Sequence, residues 1–475
     1  MRILSELRGT RKEPRETRRD RRERTRWDPP VSLWYDTGRR VSHPAPSTDI
    51  DADVVVVGGG LTGLWSAVLI AEAAPTTRVV VFDAVQPGFG ASGRNGGWCS
   101  ALLPADDAHI ARVLGPDAAG VLHSAARSAV DSIGDYIRTH GIECGWAKAG
   151  TLTVATNELQ LERIRRQAEM KGGPEFLDAE GLRSRLRVEG ALGATFVPDC
   201  AALDPHALLT GLLGRCRDLG VRVFGGTRVT SVHREHVVAR TPDGLVYATC
   251  RQVVVATEAY LPRMPGMRRQ LAPVYSYVIA TDPLPAGGWE QIGWEGRETL
   301  GEAGHMVTYA QRTADGRIVF GGRGAPYAFG SDVHSSRDRS DAVHERVIAR
   351  MHELFPATRG VHIPYRWGGP LGMPRDLIPG VWQDRRTGAI HAGGYTGDGV
   401  AMSHLLATII AARVAGDADD PVLSLPLNDR RPRQWEPEPI RWLGINAFLA
   451  AARLADRNES RNRRSRVLQR ILSRF

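Results

Sequence analysis

Cysteine is scarce and unpaired in this chain of 475 residues: Cys99, Cys144, Cys200, Cys216 and Cys250 stand singly, with no C-x-x-C spacing. That pattern excludes a disulfide-stapled scaffold and reads as reduced, buried thiols in a cytoplasmic protein. No set of His, Cys and acidic residues has metal-ligand spacing along the sequence, so no metal is assigned. Internal repeats and informative low-complexity tracts are also missing. A secretory or twin-arginine leader is not expected, because Arg18-Arg19 and Arg21-Arg22 run into Trp27-Asp28-Pro29-Pro30 and not into an apolar segment. The longest charge-free run, residues 54–71, approaches the length of a membrane span. Its glycines follow directly on four valines, which is the pattern of strand, turn and helix.

What is present suits two or three ordinary domains, with 42% hydrophobic and 24% charged residues. The formal charge is +9, but residues 1–30 hold 11 basic against 6 acidic side chains and residues 453–475 hold 8 against 2, leaving the body nearly neutral. Basicity therefore belongs to the tails. They suit weak contact with an anionic surface, and no specific nucleic-acid partner is expected.

Residues 1–48 read as a basic, mobile arm whose end docks through Val31, Leu33, Trp34 and Tyr35. A strand at 53–57, a helix at 61–74 and a strand at 78–82 make one right-handed βαβ unit and open a parallel sheet. Helical stretches within 107–140 and 205–219 and strands at 151–155, 221–224, 228–232 and 252–256 follow. The alternating strands at 274–281, 305–311 and 318–321 indicate an antiparallel sheet. A strand at 389–392 and a helix at 400–414 then return to the first unit. The expected fold class is α/β: a Rossmann-like domain built from 49–140, 200–265 and 366–430, and a second antiparallel-sheet (α+β) domain from 141–199 and 266–365. Residues 431–475 supply a C-terminal helix and basic tail, the helix packing on the body in preference to lying on a membrane.

Gly58-Gly59-Gly60-Leu61-Thr62-Gly63 spells G-x-G-x-x-G between that first strand and helix, and Asp83 follows the third glycine by 20 residues. Gly58 permits the tight turn, Gly60 admits a pyrophosphate to the helix N-terminus, Gly63 lets helix and strand pack, and Asp83 accepts from ribose hydroxyls. A second loop, 88–97, contains Ser92, Arg94, Asn95 and Gly96 among side-chain-poor positions and favours a flat flavin over a nicotinamide. A third loop, Gly393-Gly394-Tyr395-Thr396-Gly397-Asp398-Gly399-Val400, opens an apolar helix whose N-terminus would stabilise charge on a reduced flavin.

These three loops, with LDPHALL at 203–209, VVVATEAY at 253–260, FGGR at 320–323 and WGGPLGMPRDLIP at 367–379, resemble the D-amino-acid-oxidase superfamily, most closely its gamma-glutamylputrescine oxidoreductase group. The resemblance spans about residues 50–455. It implies FAD, covalent or not, a two-domain body, and oxidation of a C–N bond in a small-molecule amine by hydride transfer to flavin. It places Gly58, Gly60, Gly63, Asp83, Ser92, Arg94, Asn95, Gly394, Gly397 and Gly399 on FAD, and Val229 beside adenine. Leu61, Thr62, Gly96, Ala256, Asp398 and Val400 join them as cofactor-binding candidates. Asp83 stands where Glu is usual, Glu258 where a small or amide residue is, and Asp398 where His is common.

Hydride transfer needs orientation of the amine and no strong protein base. Tyr275, Tyr309 and Trp367 are the candidates for an aromatic wall and His305 for a base, although each aromatic singly is as well explained by sheet packing. Two residues beyond the W-x-G, where amino-acid oxidases that resemble this chain hold a substrate carboxylate with arginine, stands Leu371. Arg375 is the one obvious substitute. Sarcosine-oxidase-like relatives also carry a lysine that promotes reaction with oxygen, whereas here the only lysines are Lys12, Lys148 and Lys171. The acceptor is accordingly oxygen or another oxidant, with dehydrogenase behaviour favoured. The competing readings are an amino-acid oxidase or dehydrogenase of the same superfamily, an NAD(P)-dependent dehydrogenase, and a basic-tailed binding protein with a vestigial flavin domain.

Overall fold

The computed structural model describes residues 32–38, 41–170, 172–324, 326–465 and 468. Residues 1–31 of the basic arm, Val31 included, lie outside them. The strands Val54–Val57 and Val79–Phe82 are apolar at every position because both faces of their sheet are covered. They pair in parallel, Val54 opposite Val79, within a six-stranded sheet ordered Gly380–Gln383, Ile390–Gly393, Gln252–Val255, Val54–Val57, Val79–Phe82, Arg222–Phe224. Only the first pair in that order is antiparallel.

Two helices on this sheet, Leu61–Ala73 and Gly399–Ala415, are buried nearly all round, which is why neither has an amphipathic pattern. The 54–71 run is thus a strand and a helix folded back on it. Among the described residues no helix is long and apolar enough to cross a membrane.

The second sheet has eight strands, ordered Tyr365–Met373, Ala272–Ala280, Ile318–Arg323, Thr308–Arg312, Thr299–Glu302, Thr151–Ala155, Gly193–Val197, Glu175–Asp178. All pairs are antiparallel except Thr299–Glu302 with Thr151–Ala155. Residues 365–373 correct the expected boundary at 366. Their nine-residue register with Ala272–Ala280 makes them the edge of the large sheet, and not part of the nucleotide-binding unit. His305 also falls outside the strand expected at 305–311, which begins at Thr308.

The arm's end does dock. Leu33 and Trp34 are buried with Val278, Val319 and Trp367. The Trp34 indole N–H donates to the Asn95 carbonyl at 2.9 Å and the Ser32 hydroxyl to that of Gly93 at 3.3 Å. The C-terminal helix, Ile440–Glu459, packs Ile445 and Leu449 against Ala272, Val274 and Tyr327. All five cysteines are buried and free.

Candidate active site

Between the two sheets lies a cavity of about 770 Å³. Its walls include Gly58, Gly60, Leu61, Thr62, Asp83, Ser92, Arg94, Asn95, Gly96, Val229, Ala256, Gly397, Asp398, Gly399 and Val400. Three glycine loops far apart in sequence therefore face one space. Gly58 has φ +110°, and a Cβ there would lie 2.4 Å from the Ala256 carbonyl oxygen, so the turn at the first loop requires glycine. Gly63 and Gly394 do not line the cavity. A Cβ on Gly63 would meet the Gly58 carbonyl at 1.9 Å, so this glycine permits the helix to close on the strand, while Gly394 N–H donates to Glu258.

The Asp83 carboxylate accepts from Gly59 N–H and Val85 N–H, each at 2.9 Å, and burial pushes its pKa up to about 6. Ser92 Oγ accepts from Leu61 N–H at 2.9 Å at the start of the first helix. The Asn95 amide is spent inside its own loop, donating to the Ala91 and Ser92 carbonyls and accepting from Gly97 N–H. Arg94 crosses to the second domain, where its buried guanidinium meets Asp338 at 2.6 Å, the Gly368 carbonyl at 3.2 Å and Tyr260 OH at 3.2 Å. It latches the flavin loop to the large sheet.

Tyr309 alone of the four expected substrate residues lines the cavity, with its OH 3.0 Å from the Ser276 hydroxyl. Tyr275 does share a face with Tyr277, but that face is turned away. Ser276 and Val278, at alternate positions of the same strand, take the cavity side, while Tyr277 stacks edge-on to His344 at 5.3 Å. Tyr275 bonds the backbone of His334. Trp367 lies behind the flavin loop, donating its indole N–H to the Arg94 carbonyl at 2.8 Å. His305 is held outside the cavity by Glu459, 2.8 Å from its Nε2. None of these three lines the cavity, and His305 does not stand where a base would act on a ligand there.

His305, Asp456 and Glu459 bring ligand atoms within 4.8 Å of one another, a grouping hidden in the sequence because His305 stands 151 and 154 residues before the two acids. Asp456 takes the N–H groups of His305 and Met306 at 2.8 Å, and Glu459 Oε1 takes both Arg163 and His305, while its Oε2 is buried without a partner among the described residues. The grouping reads as an ion-pair brace for the C-terminal helix.

Sequence reasoning missed one tie and part of the cavity wall. Thr62 Oγ1 and Tyr395 OH lie 2.7 Å apart in the interior and join the first loop to the third. Leu102, Leu103, Thr153, Glu302 and Thr308 complete the cavity wall opposite the first loop, and nothing in their local pattern marks them. Glu258, noticed as a departure, has φ +43° and accepts Gly372 N–H at 2.6 Å and the N–H groups of Gly394 and Tyr395 at 3.2 Å. Burial raises its pKa to about 7 despite those donors.

The residues present fit FAD. The glycine cradle and Asp83 suit pyrophosphate and ribose, Val229 stands at one end for adenine, and the start of the helix Gly399–Ala415 faces the cavity where a flavin ring would lie. The family model described as DAO, FAD dependent oxidoreductase, matches residues 53–413. Gamma-glutamylputrescine oxidoreductase of Escherichia coli is 32% identical over 378 residues, 78% of this chain and 85% of that protein. A probable oxidoreductase, OrdL, of Haemophilus influenzae is 28% identical over 81% of this chain and 88% of its own. Among solved structures, glycine oxidase from Geobacillus kaustophilus superposes with a TM-score of 0.64 at 19% identity, covering 81% of this chain and all of that one, and so shares the fold. A match that runs from the first βαβ strand into the last helix of the nucleotide-binding unit leaves one conclusion: the chain belongs to the DAO family of FAD-dependent oxidoreductases.

Proposed function

We propose that this enzyme oxidises the C–N bond of a primary or secondary amine and does not take a free α-amino acid as its substrate. The observation that carries this reading is the apolar wall at Leu371, the position at which the resemblance would place a carboxylate-binding arginine. Leu371 lines the cavity with Pro370 and Val278, while Arg375 lies outside the wall, its Nε 3.1 Å from Glu436 and its guanidinium over the Trp435 ring. A carboxylate buried against Leu371 without a partner would cost several kcal/mol. An amine finds a different welcome: the hydroxyl pair of Ser276 and Tyr309 offers acceptors and the Tyr309 ring a π face. Leu102, Leu103 and Val278 give the wall around it an apolar surface. Bound FAD supplies the acceptor for the hydride leaving the carbon next to nitrogen, and water then hydrolyses the resulting iminium to a carbonyl compound. The named substrate of the Escherichia coli relative, a γ-glutamyl derivative of putrescine, supports a polyamine-derived amine.

The test is anaerobic bleaching of the flavin with a panel of amines and amino acids. Amines are expected to bleach it fastest. Rapid bleaching by glycine or a simple D-amino acid, abolished by Arg375→Leu, would show that a carboxylate clamp exists.

A further inference from the structure

The C-terminal helix Ile440–Glu459 has two apolar faces and only one of them is covered. Arg441, Ile445, Leu449, Ala452 and Ala455 are buried on the body. Ile440, Leu443, Ala447, Ala450 and Leu454, at spacings of three and four, form a continuous outward stripe with all five exposed. Exposure reaches 59% at Ile440, 55% at Leu443 and 48% at Leu454, values that place large side chains in water with no packing in return. Trp442 is 38% exposed on the same helix. Phe329, 60% exposed, adds an aromatic at the helix start, since the next residue, Gly330, donates to Glu438 Oε1 at 3.0 Å.

Charge decides the occupant. The acids in the helix's second half, Asp456 and Glu459, are both turned inward to His305, Met306 and Arg163. Arg457 and Arg461 are exposed beyond Leu454, whereas Arg463 and Arg464 turn back beside His305 and Glu459; the sequence from 453 onward carries eight arginines against those two acids. A second copy of this helix would bring no outward acid from that half to pair with the arginines. An anionic bilayer surface matches both features: its acyl boundary takes the apolar stripe and its headgroups take the cations.

We propose that the outer face of Ile440–Glu459, with the exposed Arg457 and Arg461 at its end, seats this enzyme on an anionic lipid surface. The attachment is peripheral, with the helix axis in the plane of the interface and the first covered face still on the body. The proposal is independent of the substrate reading, because none of these residues lines the FAD cavity.

Co-sedimentation of the full-length holoenzyme with vesicles tests it, using phosphatidylcholine alone and phosphatidylcholine with phosphatidylglycerol, at low and high salt. Binding is expected to the mixed vesicles only, and to fall steeply with salt. The exposed-site variant Leu443→Ser/Leu454→Ser is expected to weaken it about tenfold or more while flavin content stays unchanged. No binding to the anionic vesicles at low salt overturns the proposal. So does binding that is insensitive to the double substitution, which would assign it to charge alone. Light scattering that shows a dimer dissolved by the same substitution would assign the stripe to a second copy and overturn it equally.

Discussion

Replacing Glu258 by glutamine tests which of two opposed forces governs a carboxylate at the edge of the flavin cavity. Three backbone N–H groups, from Gly372, Gly394 and Tyr395, favour its ionised form, and a carboxylate so placed in water-accessible surroundings would be more acidic than usual. Burial acts the other way and prevails, moving the pKa from 4.5 to about 7. At 1.36 kcal/mol per pH unit this gap is worth roughly 3 kcal/mol, or about 2–3 after allowing for the residue's remaining exposure on the cavity side. The sign follows from linkage. Because the folded pKa is raised, the protein holds a proton that the unfolded chain releases above about 4.5, so stability falls as pH rises from there to about 7 and is level beyond it. Glu258→Gln removes that slope. Its amide also sets one NH₂ against a backbone N–H, a fault present at every pH, so the useful quantity is the change with pH and not the offset. Denaturation of both proteins at pH 5 and pH 8 is expected to show the variant gaining roughly 2 kcal/mol relative to the wild type at the higher pH. Infrared difference spectra should show a protonated carboxyl at pH 6 that is lost in the variant. A pH-independent difference, together with no such carboxyl, would mean that the three N–H donors outweigh burial and would refute the reasoning.

Removing residues 1–31 should leave FAD content unchanged, whereas Trp34→Ala, which deletes both a buried indole and its bond to the Asn95 carbonyl, should loosen the flavin loop and raise the dissociation constant for FAD about tenfold or more, measured by fluorescence of released flavin. Stopped-flow reoxidation of the reduced enzyme by oxygen should be slow, since no lysine lies in the second half of the chain; reoxidation at rates typical of oxidases would contradict this.

The glycine-rich loops were legible because their requirement is local: a tight turn, a close approach and a helix start each leave residue types at fixed spacing. The run of four valines likewise announced a strand covered on both faces. Tyr275 failed for a reason that period two cannot supply. Alternation says which residues share a face, but not which face meets the cavity, and that was settled by the register of Ala272–Ala280 between its two neighbours. Trp367 was placed with the nucleotide-binding unit because glycines surround it, yet its strand pairs with the large sheet throughout. His305 illustrates a third limit. Its partner Glu459 lies 154 positions away, on a helix expected to pack on the body but at a place no local pattern discloses.

The hydrogen bond between Thr62 and Tyr395 joins positions 333 apart, and it has a consequence for biosynthesis. The first loop leaves the ribosome early, but the strand before it gains its neighbour Gln252–Val255, and beyond that Ile390–Gly393, only much later, and the third loop of the cavity wall follows these. Pairing over such separations is slow, since the closure entropy is lost before the contacts repay it. Nascent chains therefore carry an unfinished nucleotide cradle through most of translation, and cofactor capture becomes a late event that seals the two sheets together.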